Sequence, residues 1–148
     1  MFSQGINTLE EVNMDGFEVV HSNMFLSFPK KTQPICSLWP DKLSFNSMTL
    51  KTLHGCEYIR LEVSARQRSI LITPVNSSDK DCIRWVRGDR QLVLRELYSK
   101  TFAENLYHMF HLDSQQNYRA RGRLVSSGSK VMLLFDFKEA EVWRSRDK

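Results

Sequence analysis

The most constraining feature of this chain is a run of alternating apolar and polar residues, broken once by a polar turn. Ile59, Leu61 and Val63 alternate with polar neighbours, which predicts a strand with one buried and one solvated face. A turn at residues 65–68 leads into the apolar run 70–72. Two strands joined by a short polar connection predict a β-hairpin. Any fold of this chain must bury one face of that hairpin.

A strand and a short helix are predicted before the hairpin. Leu43 and Phe45 alternate with polar neighbours, which indicates a half-buried strand. Asn46 or Ser47 can cap the following helix, because either side chain accepts a hydrogen bond from a free amide of the first turn. Gly55 lies where helices commonly end in the left-handed conformation. Strand, helix and hairpin together make a βαββ unit.

The same order of elements recurs further along the chain. A strand at residues 92–94 precedes an amphipathic helix predicted over residues 101–111, and Thr101 and Glu104 have capping-box spacing. A second hairpin follows. Its last strand, 131–137, is nearly all apolar, which predicts that it is covered on both faces.

We therefore expect an α+β fold in which two βαββ units form one compact, mostly antiparallel sheet assembly, with the second helix packed on it. The length of 148 residues suits a single domain. Its predicted parts are an extended N-terminal wrap (1–40), the first unit (42–75), a linker (76–91), and the second unit with the tail (92–148). Within the first part, residues 1–14 are expected to be a frayed end or a short helix. A strand is predicted at 17–20, and a second apolar run follows at 24–28.

Residues 42–75 combine a strand, a short helix, a glycine and a hairpin that ends in the proline-containing sequence ILITP. This stretch resembles the swapped-hairpin DNA-binding domains of the AbrB and MazE-like transition regulators and antitoxins. In that family two βαββ units, one from each subunit, interlock into a dimer that presents basic residues to DNA. The resemblance implies a comparable pair within this one chain and a role in transcription regulation.

A second resemblance covers most of the chain. It is to uncharacterised small proteins carried by integrative mobile elements of Gram-positive bacteria, and it implies a genomic setting without a known chemistry. The similar stretches are DGFEVV (15–20), EYIRLEV (57–63), ITPV (72–75), DKDCIRW (79–85), YRARGR (118–123) and LLFDFKEAEV (133–142).

Charge is distributed unevenly. The net charge is +4, but residues 1–20 contain four acidic side chains and no Lys or Arg, so the remaining residues carry +8. A basic body favours an anionic partner such as nucleic acid. The three cysteines are widely spaced, which indicates reduced thiols rather than a disulfide framework. No secretory signal or membrane-spanning run is evident, so we expect a cytoplasmic protein without a membrane partner.

The sharpest local motif is the sequence YRARGR. On a strand, Arg119, Arg121 and Arg123 lie on one face. Three neighbouring cations repel one another, so an anion must lie opposite them. That anion is either duplex DNA, through its phosphates, or a set of carboxylates from neighbouring strands, for example Glu62 and Asp136; an acidic protein is a third option.

A second group of arginines surrounds a tryptophan. Arg84, Arg87 and Arg90 flank Trp85 and can form a surface that contacts phosphates and stacks bases. The alternative is that Trp85 packs inward and the arginines are only solvated. In the first unit, the analogous hairpin residues are Arg60, Arg66 and Arg68.

Catalytic alternatives have weaker support. Asp136-Phe137-Lys138 has the (D/E)xK form, and with Asp113 upstream it resembles the PD-(D/E)xK nucleases, which bind Mg²⁺. However, a leucine precedes Asp113 instead of the usual proline. His108 and His111 are too few to predict a metal site. We therefore expect no enzyme activity, cofactor or metal.

The sequence thus predicts a non-enzymatic DNA-binding accessory or regulatory protein of a mobile genetic element. The alternative is a protein-binding inhibitor of a host nuclease, of the anti-restriction or anti-CRISPR type, for which the acidic first 20 residues are suited. A structural partner of a recombinase is a third reading, which the sequence does not separate from the second.

Overall fold

The structure is a computed structural model that describes residues 9–19 and 33–143. The chain divides into two compact units, residues 1–31 and 32–148. The larger unit is a mixed fold with 43% of the described residues in strands, two helices, and an antiparallel sheet that curls into a half-barrel. The coarse α+β prediction is thus confirmed.

Eleven strands and two helices are formed in residues 33–143. The strands are β1 (Ile35–Trp39), β2 (Lys42–Phe45), β3 (Tyr58–Ser64), β4 (Ser69–Val75), β5 (Ile83–Arg84), β6 (Val86–Arg87), β7 (Val93–Leu94), β8 (Leu97–Tyr98), β9 (Asn117–Ser127), β10 (Lys130–Asp136) and β11 (Glu141–Trp143). The two helices are α1 (Ser47–Thr52) and α2 (Lys100–Met109), and a 3-10 turn follows β10 at Phe137–Glu139.

Nine strands form one sheet in the order β5-β3-β4-β10-β9-β1-β2-β8, with β11 also paired to β9. The two long hairpins, β3–β4 and β9–β10, meet where β4 and β10 pair antiparallel. β9 is the central strand, since it pairs with β1, β10 and β11. A separate ribbon contains β6 and β7.

The core lies on the inner face of the curled sheet. Alternate strand residues bury completely there, because a strand sends every second side chain to the same face. Phe45 contacts both Trp85 and Phe135, with ring centroids 5.3 and 5.5 Å apart. The largest side chains with at most 1% exposure are Trp85, Phe110, Phe135, Leu38, Leu43, Ile59, Ile70, Ile72, Leu106 and Leu133.

Both helices are capped by side chains, and one cap differs from the prediction. Asn46 caps α1 as predicted, since its Oδ1 accepts from the Thr49 amide. At α2 the cap is Ser99, whose Oγ accepts from the Phe102 amide, so the predicted Thr101 capping box is wrong. Thr101 instead lies inside the first turn.

The element order of the two proposed units is present, but the units are not confirmed as such. β2 pairs with β1 and β8 rather than with the β3–β4 hairpin. The strand that directly precedes α2 is β8, because Val93 and Leu94 pair with β6 in the separate ribbon. The predicted linker 76–91 is also not a plain linker, since it contributes β5, β6 and the buried Trp85.

Residues 9–19 of the smaller unit contain one turn at Asp15 and Gly16 and no regular strand or helix. The Phe17 amide donates to the Met14 carbonyl across this turn, and Gly16 has a φ of 89° that suits glycine. The predicted strand at 17–20 is therefore not formed in its described part, and the apolar run at 24–28 lies outside the described residues. No helix among the described residues is long and apolar enough to cross a membrane.

Candidate nucleic-acid interface

The alternation of β9 separates its side chains into two groups. Arg119, Arg121 and Arg123 are exposed, while Ala120 between them is 1% exposed. Ala120 lies opposite Cys36 of β1, so its side of β9 faces the core. The three guanidinium groups therefore share the outer face, as the sequence predicted. Alternate residues on a strand are about 6.6–6.8 Å apart, which sets the spacing of the row.

Three carboxylates lie beside these cations. Arg119, Arg121 and Arg123 line a small cavity of about 130 Å³ together with the acidic residues Asp136, Glu139 and Glu141. Glu141 is placed there because β11 pairs with β9 and sets it opposite Arg119.

One of these arginines forms an ion pair. Nη2 of Arg121 lies 3.4 Å from Oε2 of Glu141, and both side chains are more than half exposed. Arg119 and Arg123 have no carboxylate oxygen within 4.0 Å among the described residues. The cavity therefore bears on both anions considered from the sequence. Asp136 lines it, which favours a set of carboxylates. Arg119 and Arg123 form no ion pair among the described residues, which leaves their donors available to phosphates. Exposed ion pairs contribute only about 0–1 kcal/mol, so Arg121 can exchange its partner.

Arg119 has an aromatic neighbour that the sequence did not reveal. Its guanidinium carbon lies 5.1 Å from the centroid of the Trp143 ring, a distance typical of a cation–π contact. Trp143 follows the 3-10 turn that redirects the chain after β10. Only the pairing of β11 with β9 brings it to the row, so no local sequence signal predicts this contact.

The segment around Trp85 does not form the predicted stacking surface. Trp85 is fully buried, and its Nε1 donates to the Cys56 carbonyl at 2.9 Å. A buried indole cannot stack on a base, so the packing alternative holds for this residue. Arg84 donates to Glu57 at 2.7 Å and to the Gly88 carbonyl.

Arg87 and Arg90 are exposed, but neither belongs to a strand of the main sheet. Arg87 belongs to the two-stranded ribbon, and Arg90 follows in the loop between its strands. The structure therefore does not place these two residues on the main sheet with the β9 arginines.

The arginines of the first hairpin have different surroundings. Nη2 of Arg60 lies 2.6 Å from Oδ2 of Asp79, and this hydrogen bond, together with the Asp81 amide, lowers the pKa of the Asp79 carboxyl. Arg60 is thus already neutralised. Arg66 and Arg68 lie in the β3–β4 turn, where Arg66 is exposed and Arg68 half-buried.

The residues considered for catalysis lie in turns and at the end of a helix. Oδ1 of Asp136 accepts from the Lys138 amide and caps the 3-10 turn, while Oδ1 of Asp113 accepts from the Gln115 amide. His108 lies in the last turn of α2, and His111 follows it with a φ of 57°. The residues described contain no group of three or more side chains arranged to hold a metal ion.

No protein-family model matches the chain, and neither the curated proteins nor the solved structures contain a match.

Proposed function

We propose that this protein is a non-enzymatic DNA-binding accessory or regulatory protein of a mobile genetic element. The observation that carries the proposal is the row Arg119, Arg121 and Arg123 on the outer face of the central strand. Each guanidinium is exposed, and the core packs behind the row through Ala120. A row held by a paired strand is pre-organised, so contact with phosphates orders little additional backbone.

The spacing of the row supports contact with a duplex. Alternate strand residues repeat at about 6.6–6.8 Å, and duplex DNA carries one negative charge per about 1.7 Å of its axis. Three guanidinium groups at this spacing therefore face several phosphates within one short stretch of duplex. The neighbouring carboxylates oppose binding, but the cavity residue Arg121 holds Glu141 only through an exposed contact of 3.4 Å.

The test is fluorescence anisotropy of a labelled duplex of about 30 base pairs at several salt concentrations. The triple variant Arg119/Arg121/Arg123→Ala is expected to flatten the slope of log affinity against log salt by about three, because each phosphate contact contributes close to one. Each single Arg→Ala change should weaken binding to all sequences alike.

A matched control removes the same charge elsewhere. In Arg84/Arg87/Arg90→Ala the salt slope should change less than in the β9 variant, because Arg84 is engaged by Glu57 and Arg87 lies on the separate ribbon. Equal slopes for both triple variants would show general charge attraction instead of a defined interface. No binding at low salt would contradict the proposal.

A relation between the two halves of the sheet is part of the proposal. We infer that segments 42–75 and 92–137 are two βαββ units related by approximate two-fold symmetry. In support, the strands that precede α1 and α2 pair antiparallel (β2 with β8), and so do the last strands of the hairpins (β4 with β10). An experimental structure in which the backbones of the two segments do not superpose would refute this relation.

The second candidate function is inhibition of a host nuclease, or association with a recombinase, through protein contact. The observation in its favour is residues 9–19, where five apolar side chains are exposed among acidic ones: Leu9, Val12, Met14, Phe17 and Val19. Exposed apolar groups on an acidic segment suit a partner with a basic and apolar groove.

Substitution of Val12 and Phe17 by Ser separates the two candidate functions. If the protein is an inhibitor, this variant loses stoichiometric inhibition of the nuclease and keeps its thermal stability, whereas the triple β9 variant keeps inhibition. If the protein binds DNA, the triple β9 variant loses affinity for the duplex in the anisotropy assay, whereas the variant with Ser at Val12 and Phe17 keeps it.

A further inference from the structure

A row of aromatic and cationic side chains crosses the outer face of the sheet next to the β9 arginines. It begins on β8 with Tyr98, which lies opposite Lys42 of β2, and continues to Trp39 of β1. Nζ of Lys42 lies 4.4 Å from the centroid of the Trp39 ring and 5.3 Å from that of Tyr98. The ammonium group thus lies between two aromatic rings.

The row continues to the other side of β9. The rings of Trp39 and Trp143 meet edge to face, with centroids 5.2 Å apart, and Arg119 covers the Trp143 ring. We call Tyr98, Lys42, Trp39, Trp143 and Arg119 the aromatic row. It reaches across the strands β8, β2, β1, β9 and β11 and ends at the guanidinium groups of β9.

The row faces outward. Leu38 and Leu43, the sequence neighbours of Trp39 and Lys42, are at most 1% exposed and point to the core, so Trp39 and Lys42 lie on the opposite face. Tyr98 is 66% exposed, and the two indoles are half-buried. These aromatic side chains thus lie outside the core, on a surface that also carries cations.

The chemistry of this surface differs from that of a duplex-binding face. Duplex DNA presents phosphates but keeps its bases stacked on one another, so aromatic side chains outside its grooves cannot stack on them. An unpaired strand offers both phosphates and base faces, and proteins bind it with cationic grooves that carry stacking aromatic side chains.

We propose that the aromatic row binds the bases of an unpaired strand, which continues from the duplex held by Arg119, Arg121 and Arg123. This inference rests on the proposed function and narrows its ligand to DNA with a single-stranded segment beside the duplex.

Lys42 and Arg119 lie over the ring faces, and their side chains are long enough to move aside to the phosphates. The exchange is favourable because a base stacked on an aromatic ring is held more strongly than a cation in an exposed cation–π contact. Lys42 must also leave Glu96, whose carboxylate lies 3.2 Å from its Nζ and is 43% exposed. Such exposed ion pairs are weak.

Trp143 supplies a further reason for a ligand. Its Nε1 is buried and has no hydrogen-bond partner within residues 9–19 and 33–143. A buried donor without an acceptor is unfavourable. A base carbonyl oxygen or a phosphate oxygen would reach this donor only after the Arg119 side chain that covers the ring moves aside.

The experiment compares three labelled ligands by anisotropy: a blunt duplex of about 30 base pairs, the same duplex with a tail of about ten thymidines, and that tail alone. The tail is tested on either end of the strand. We expect the tailed duplex to bind roughly tenfold or more tightly than the blunt one, since each stacked base contributes at least several-fold.

Substitutions in the aromatic row test whether it causes the higher affinity for the tailed duplex. Tyr98→Ala and Trp143→Ala should abolish most of the advantage of the tail and leave affinity for the blunt duplex unchanged. Val142→Ala is the matched control, because this residue is 54% exposed on the same strand as Trp143 but on the other face. Trp143→Phe, which keeps an aromatic ring, should restore much of the advantage if Trp143→Ala does not fold.

Tryptophan emission gives a second readout. The tail should quench Trp39 and Trp143, whereas buried Trp85 keeps its emission and reports that the protein remains folded. Equal affinity for blunt and tailed duplexes, without quenching, would overturn the inference and leave the proposed function standing. Absence of binding to all three ligands would overturn both.

Discussion

Two segments of this chain look alike in sequence and differ in the fold. Both place arginines at close spacing near an aromatic residue: YRARGR in β9, and CIRWVRGDR at residues 82–90. In the first, the arginines share the outer face and Ala120 points inward. In the second, the aromatic residue itself is fully buried and Arg84 is bound to Glu57.

The difference comes from strand length and pairing. β9 spans Asn117–Ser127 and is paired along most of its length, so its two-residue period decides the side of every residue. β5 and β6 have two residues each, and the chain changes from the main sheet to the ribbon at Trp85. An arginine-rich motif therefore predicts a cationic face only where a long strand maintains its alternation.

The largest expected effect tests the burial of Trp85. Trp85→Ala should lower the free energy of unfolding by about 3–5 kcal/mol, because it leaves a cavity against Phe45 and removes the bond to the Cys56 carbonyl. Chemical denaturation measures this loss. Arg87→Ala, at an exposed neighbouring position, serves as the control and should be nearly neutral. If Trp85→Ala left the free energy of unfolding unchanged, Trp85 would not be part of the core. The contrast between the two arginine-rich segments would then fail.

The next effect concerns the inner side of β9. At Gly122, between two arginines of the row, an added Cβ would lie 2.6 Å from the ring of the fully buried Phe135. Gly122→Ala should therefore destabilise the fold by about 1–3 kcal/mol through overpacking. Thermal unfolding checks it, with Ser126→Ala on the same strand as the control. An unchanged melting temperature would show that β9 does not pack closely against Phe135 at Gly122.

A smaller effect distinguishes a neutralised arginine from a free one. The pKa of Asp79 is lowered by Arg60, so the carboxylate stabilises the fold fully above the pKa of the unfolded chain, near 4, and this contribution is lost as the pH falls through the folded pKa. Wild type should exceed Asp79→Asn in stability at neutral pH, and the gap should close in acid. Denaturation of both proteins between about pH 2 and 7 measures this. A gap that persists at the acidic limit would argue against the ion pair as its cause.

The smallest effect concerns the balance of charge in the cavity. Glu141→Gln removes the carboxylate that pairs with Arg121 and should raise duplex affinity a few-fold at low salt, with stability unchanged, because the contact is long and exposed. Anisotropy against Glu104→Gln, an exposed site on α2, provides the control. Lower affinity in Glu141→Gln would mean that Glu141 positions Arg121 for binding.

Local patterns in the sequence were sufficient for several elements. The alternation of Ile59, Leu61 and Val63 gave the first hairpin, and Asn46 caps α1 as expected. The cap of α2 was misassigned because Ser99 and Thr101 are both good capping residues, and only the path of the chain decides which one is used. Pairing partners were not predictable, since β2 and β8 are far apart in sequence and short.

The sequence by itself therefore determined which residues of β9 share a face, because the two-residue period of a strand depends on nothing beyond the strand. The tertiary structure decided everything that depends on distant partners. It sealed Trp85 in the core, assigned Asp79 to Arg60, and brought Trp143 to Arg119 and Trp39. These contacts join residues with no fixed sequence separation, and so only the folded sheet could specify them.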